Sequence, residues 1–255
     1  MIRSGNEDSV FADANPERGV FMVADGMGGH AAGEIASEMA VEIVVRELAS
    51  VREIGSDSGD ACLREALRRA NRAIFERTLA ESDKQGMGTT ASVLLLSGSQ
   101  YLIGQVGDSR VYRVRGGVLQ QLTKDHSYVQ EQVDAGYITP EQARYHPYSN
   151  VITRCVGASR DVEPDTYAGD VQPGDVFLVA SDGLTGMVDD QRLQQLLSSR
   201  ASPGRLVDAL INEANGRGGL DNITAVVVQV LRTDDTTPTA ERPAFGAATP
   251  PPGRR

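Results

Sequence analysis

Apolar residues along this chain fall into two patterns. Short, nearly continuous runs read as strands at 9–13, 20–24, 91–96, 101–106, 110–114, 176–180 and 223–231. Elsewhere the apolar positions recur at helical spacing. Ile35, Met39 and Ile43 with Ala36, Ala40, Val44 and Leu48 make one stripe, and Leu63, Leu67, Ala70 and Ile74 make a second, with Arg and Glu opposite. A later pair of helices is predicted around Leu193, Leu196 and Leu197, and around Leu206, Val207, Leu210 and Ile211 after the helix-opening Ser202-Pro203. The connections at 97–100 and 107–109 are too short for a helix, so both are expected to be antiparallel hairpins. Antiparallel strands with two helix pairs predict an α+β fold, a two-sheet β-sandwich flanked by helices in α-β-β-α layers. Residues 124–160 depart from the scheme, mixing short helical pieces (128–135, 140–144) with Gly136, Pro147 and Asn150. They read as an excursion over the surface, of the kind that governs access to a site.

Periodicity vanishes after 231. Residues 232–255 hold five of the eleven prolines with repeated Thr and Ala, the composition of a flexible tail or linker. Residues 1–231 are expected to be the folded domain, with the flap at about 124–160. Net charge is −10, from 25 Lys+Arg against 35 Asp+Glu. The tail carries four Arg and three acids, so the domain holds about −11. An acidic chain repels a phosphate backbone, which argues against nucleic acid as a partner. No apolar run approaches the roughly 20 residues of a bilayer span, and the first residues carry no apolar signal segment. Two cysteines without C-x-x-C spacing fit a reducing compartment, and a cytoplasmic protein is expected.

The chemistry lies where apolar runs stop at aspartates. Asp25 follows 20–24, Asp182 follows 176–181, Asp108 follows 103–107, and Asp221 stands just before the run at 223–231. One Asp-Gly is explained by a turn. Four such aspartates, gathered where antiparallel strands start and end side by side, repel one another unless protonated or neutralised by cations. Carboxylates without accompanying His or Cys are hard ligands, suited to Mg²⁺ or Mn²⁺. Gly26 and Gly183 leave room for close backbone approach.

Glu7-Asp8-Ser9, Asp25-Gly26-Met27-Gly28-Gly29-His30 with Gly33-Glu34, Gly88-Thr89-Thr90, Gly107-Asp108-Ser109-Arg110, Ser181-Asp182-Gly183-Leu184 and Asp221-Asn222-Ile223-Thr224 occur in this order. In order and spacing they resemble the PPM-type (PP2C-like) metal-dependent protein Ser/Thr phosphatases of bacteria, across roughly residues 1–231. The resemblance implies that Asp25 bridges two metals, with the Gly26 carbonyl on one and Asp182 and Asp221 on the other. Asp108, with Asp182, resembles the ligands of a third ion. Glu7 and Asp8 resemble an acidic pair that holds metal-bound waters, and Arg3 sits where the family places a phosphate-binding arginine. Two or three Mn²⁺ or Mg²⁺ ions are implied, two of them about 4 Å apart, acidifying a bridging water that attacks phosphorus in line. The implied partners are phosphorylated proteins, a Ser/Thr kinase and its targets; a monomer is favoured.

The sequence departs from the pattern in two places. Only two residues precede Arg3, so the start is expected to be truncated or one sheet edge missing. Met27 replaces a histidine that eukaryotic members offer as an acid, and a thioether donates no proton; His30 nearby reads as a surface residue at a helix start, which leaves a metal-bound water as the acid. Three other readings compete. Residues 26–31 also fit G-x-G-x-x-A, but Asp25 would face the pyrophosphate and the next element is a helix, not a parallel strand. Cys155 and Arg160 are separated by four residues where a thiol phosphatase loop uses five. The domain could instead be a non-catalytic module that binds phosphoproteins, which loss of a metal-ligand aspartate would favour; all of them are present.

Overall fold

The computed structural model describes residues 5–49, 51 and 53–233, so Arg3 and nearly all of the Pro-rich segment lie outside the described residues. In chain order its strands are β1 (Asp8–Ala14), β2 (Arg18–Met27), β3 (Gly88–Thr89), β4 (Ala91–Ser97), β5 (Gln100–Val106), β6 (Arg110–Arg115), β7 (Val118–Gln121), β8 (Asp165–Asp170), β9 (Val176–Ala180) and β10 (Ala225–Gln229). Its helices are α1 (His30–Leu48), α2 (Asp57–Ala80), α3 (Tyr128–Asp134), α4 (Pro140–Arg144), α5 (Asp182–Thr185), α6 (Asp190–Leu197) and α7 (Pro203–Gly216). One antiparallel sheet runs β1-β2-β4-β5-β8, with β3 added to β2, and the other runs β10-β9-β6-β7.

Why β2 reads as an unbroken apolar run is explained by its two faces, since successive side chains point to opposite sides of a sheet. Met22 and Ala24 face Ala36, Ala40, Val44 and Leu48 of α1 and Leu63, Leu67, Ala70 and Ile74 of α2, all fully buried. Phe21 and Val23, with Leu94 and Ile103 of the same sheet, face the other sheet, where they meet Val111, Phe177 and Val179. A third layer of core packs Leu193, Leu197, Leu206 and Leu210 on Tyr112, Leu178 and Val227. The α-β-β-α sandwich expected from periodicity is the observed architecture. A strand buried on both faces has no polar alternation to display.

The hairpin expected at 107–109 is a correction. The connection at 97–100 is a hairpin, but β5 and β6 belong to different sheets, and the chain turns a corner between them. Gly107 makes this possible with φ +102°, pressed so close to Thr90 that an added Cβ would lie 2.6 Å from it. Three strands escaped the periodicity, the shortest being the two-residue β3. β7 returns from β6 over Gly116 and Gly117, both at positive φ, as a two-residue hairpin allows. β8 is an edge strand whose Gly169 lies opposite Tyr101 and under its ring.

The excursion at 124–160 holds α3 and α4, the latter opened by a capping box between Thr139 and Gln142. Its roots close on each other: Ser127 pairs with Ile152, Tyr128 N–H donates to the Val151 carbonyl, and Thr153 N–H donates to that of His126. Far from the flap, Arg115 is clamped bidentately on Asp175, whose side chain is 1% exposed. Truncating Arg115 leaves that carboxylate buried without its counter-ion, held among the described residues only by the Gln172 N–H at 2.8 Å, so Arg115→Ala is expected to lower stability by about 3 kcal/mol in urea unfolding with kcat unchanged.

Candidate active site

All the aspartates singled out from the sequence come to one end of the sandwich. Asp25 sits near the end of β2, opposite Asp8 of β1 in the strand register. Asp182 opens α5 directly after β9, and Asp221 precedes β10, which runs antiparallel to β9. Asp108 occupies the corner between the sheets. These aspartates are therefore contributed by both sheets rather than by the edge of one.

Burial and crowding set their electrostatics. Desolvation, then the neighbouring Asp182, Asp8 and Asp108 carboxylates, hold Asp25 well above the usual carboxylate range, and its carboxyl hydrogen-bonds that of Asp182. Asp182 is raised by burial and by Asp221, against the Asp25 hydrogen bond and Arg110. Asp108 is pushed up to about 8 by burial, Asp182 and Asp125. Asp8 is raised by burial despite bonds from Thr224 and Ser181, the latter at 2.9 Å. Among the described residues, Asp8 Oδ1 and Asp108 Oδ1 are buried with no hydrogen-bond partner. An orphaned buried carboxylate oxygen is costly unless a cation or proton meets it.

The donor set fits a hard divalent cation: oxygen ligands, raised proton affinity and buried oxygens without a hydrogen-bond partner. Among the described residues no three acidic, imidazole or thiol groups close around one point. An open-sided cradle suits ions that keep several waters. The backbone is shaped to the same end. An added Cβ on Gly26 would run into the Gly33 and Glu7 carbonyls, and one on Gly183 into the Asn222 carbonyl. Gly183→Ala should therefore displace the loop of Asp221 and Asn222, weakening Mn²⁺ binding in calorimetry by about tenfold or more while circular dichroism stays unchanged.

Glu7 differs from its expected partner Asp8. Its carboxylate lies against Gly33 of α1, while its backbone carbonyl accepts from Gly26 N–H at 3.1 Å and from the Ser37 hydroxyl at 2.7 Å. Periodicity gave no signal for the polar groups beneath the carboxylates. Thr90 Oγ1 accepts from Asp25 N–H at 2.9 Å and pairs with Ser109 Oγ at 2.7 Å, both side chains fully buried. Thr90 and Thr89 both bond the Asp25 carbonyl, at 2.9 Å and 3.0 Å. The run of two threonines after Gly88 carried this information only through the motif.

Arg110 holds Asp125 bidentately at 2.7 to 3.0 Å and Tyr112 OH at 3.0 Å, placing a fixed positive charge beside Asp108 and Asp182. A cleft of about 940 Å³ opens from Asp108, Asp182 and Asp221 toward Val129, Val133 and Pro140 of the flap. Burial pushes the Cys155 thiol up, the wrong direction for a thiolate nucleophile. The dinucleotide reading fails too, because the neighbours of β2 are antiparallel.

Fold and sequence together define the class: the chain belongs to the protein phosphatase 2C family, whose model matches residues 3–213, and is a protein phosphatase. It is 39% identical over 236 residues to a serine/threonine phosphatase, stp, of Listeria monocytogenes, covering 89% of this chain and 91% of that one. A serine/threonine phosphatase of S. agalactiae superposes with a TM-score of 0.84 at 38% identity, over 90% of this chain and 95% of that one. The catalytic domain of the phosphatase PstP, in complex with two manganese ions, superposes with a TM-score of 0.80 at 37% identity, over 91% and 94% of the two chains. Among the described residues no helix is long and apolar enough to cross a membrane.

Proposed function

We propose that this chain hydrolyses phosphoserine and phosphothreonine in proteins, using Mn²⁺ or Mg²⁺ held by Asp25, the Gly26 carbonyl, Asp182 and Asp221, with Asp108 and Asp182 holding a third ion. The observation that carries the reading is the convergence of Asp8, Asp25, Asp108 and Asp182 at one end of two sheets, raised in proton affinity and with two orphaned oxygens. When bound, the ions acidify a water to supply the nucleophile and neutralise charge on the phosphoryl oxygens.

The chain's own residues do the rest. Thr89 and Thr90 fix the Asp25 backbone at three hydrogen bonds, so its carboxylate, which would hold the ions, is presented from a rigid support. Ser181 and Thr224 orient Asp8 to hold water through its free oxygen, and Glu7 supports the Gly26 peptide from below. Arg3, close in sequence to this pair, is the candidate for binding the substrate phosphate through a bidentate guanidinium. The flap walls the cleft on one side.

Residues 1–231 constitute the catalytic domain and 232–255 a tail or linker, and the enzyme acts in the cytoplasm on a Ser/Thr kinase and that kinase's targets. The absence of a spanning helix among the described residues and two free cysteines, Cys62 and Cys155, support that location. The retained aspartates disfavour a merely phosphoprotein-binding module. The deciding assay is release of phosphate from a phosphothreonine peptide with and without Mn²⁺. Binding of the peptide without turnover, in the presence of the metal, would instead support the binding module.

A further inference from the structure

His126 lies at the entry to the flap, 6% exposed, and every atom of its ring that can hydrogen-bond is committed. Nδ1 faces the backbone N–H of Gly107 at 3.1 Å. A backbone amide only donates, so Nδ1 must be the acceptor and carry no proton. Nε2 stands 3.2 Å from Asp165 Oδ2 and therefore carries the proton that this carboxylate accepts. The Nη1 of Arg154 also lies 3.0 Å from Nε2, but its two hydrogens go to Asp165 Oδ1 at 2.8 Å and the Glu163 carbonyl at 2.9 Å. The surroundings admit one tautomer, neutral with Nε2–H. Burial, helped by Arg154 and outweighing Asp165, lowers the imidazole pKa in agreement.

The backbone of the same residue completes a clasp. His126 N–H donates to the Gly107 carbonyl at 2.9 Å, and its carbonyl accepts from Thr153 N–H at 2.8 Å in the returning root of the flap. Gly107 is the corner that places Asp108, and it presses on Thr90, which holds Asp25. We infer that His126 is a positioning residue: as its Nε2–H tautomer it fixes the turn of Gly107 and Asp108, and it couples both roots of the flap to that turn. Flap position and the third ion's carboxylate are thereby linked through one residue, an inference that rests on the reading of Asp108 as a cation ligand. A ring of the other tautomer would set its Nδ1–H against the Gly107 N–H and push the corner away.

The two ring nitrogens can be tested separately. His126→Asn keeps an acceptor where Nδ1 sits, and His126→Gln keeps a donor where Nε2 sits. In the whole chain, long-range proton–nitrogen NMR should find Nε2 protonated and Nδ1 bare, and hydrogen exchange at the Gly107 amide should be slow in wild type and His126→Asn and fast in His126→Gln. Mn²⁺ calorimetry should show the weakest-bound ion retained in His126→Asn and weakened about tenfold or more in His126→Gln. A protonated Nδ1 in wild type overturns the inference without any variant. So do two variants that behave alike, whether both bind as wild type or both lose the ion equally, because a packing role does not distinguish the nitrogens. If instead wild type takes up no Mn²⁺, or Asp108→Ala binds it unchanged, the cation reading fails, while the tautomer and the Gly107 exchange still decide whether His126 sets the turn.

Discussion

Asp25→Asn, Asp182→Ala and Asp221→Ala should each lower kcat on a phosphothreonine peptide by at least about a thousandfold, because each removes or neutralises a carboxylate of the proposed two-ion centre. The expected effect on the metal-free fold has the opposite sign for Asp25→Asn. Asp25 is desolvated and crowded by Asp182, Asp8 and Asp108, so its carboxyl opposes folding whenever it is ionised. An amide of the same shape relieves that repulsion. Melting of the metal-free Asp25→Asn protein should rise by several degrees above wild type as activity disappears. Asp108→Ala should leave two ions bound and slow turnover less. Retention of kcat within tenfold in Asp25→Asn would remove this residue from the centre, and calorimetry in which Asp108→Ala binds no ion at all would contradict the division of roles.

Chelation should abolish turnover and expose the carboxylates' own electrostatics as a pH dependence of stability. In the metal-free protein Asp8, Asp25, Asp108 and Asp182 retain protons where the unfolded chain, with carboxyl pKa values near 4, has released them. The folded state then binds more protons than the unfolded one, and stability falls as pH rises. The fall begins at about pH 4 and runs at least to about 8, where Asp108 ionises. Ion-paired carboxylates such as Asp60, Asp165 and Asp170 are held below the usual range and act with the reverse sign, adding stability up to about pH 5. His126, lowered by burial, also adds stability with rising pH until about 6.5, but as one group against four. The net curve in chelator should peak near pH 5 and decline toward 8, and Asp108→Asn should flatten the decline. Added Mn²⁺ should restore stability at the alkaline end. A wild-type curve in chelator that rises from 5 to 8, or one that Asp108→Asn leaves unchanged, would contradict this account.

The α-β-β-α layers were legible because helix stripes and strand runs survive in one dimension. Ala36, Ala40, Val44 and Leu48 are spaced for one helical face, and all four are fully buried. The edge strands β7 and β8 were illegible because an edge has little apolar surface to bury, and DTYAGD contains no alternation to read. The corner at Gly107 was misread for a different reason: a three-residue link forbids a helix, but it does not say whether the next strand pairs with the last one or crosses to another sheet.

The sequence by itself determined the kind of chemistry, since aspartates at the ends of apolar runs, without histidine or cysteine among them, leave hard cations as the species that can neutralise them. It also determined the layers, through periods of 2 and 3.6 residues that local geometry imposes. Which of those aspartates meet, and what holds them, was decided only by tertiary structure. The contacts that matter span long stretches of chain, from Asp8 to Ser181, Asp25 to Thr90 and Gly107 to His126. Each is made by small polar side chains whose burial depends on the packing of the two sheets, and no local pattern marks a threonine or a histidine that will be enclosed.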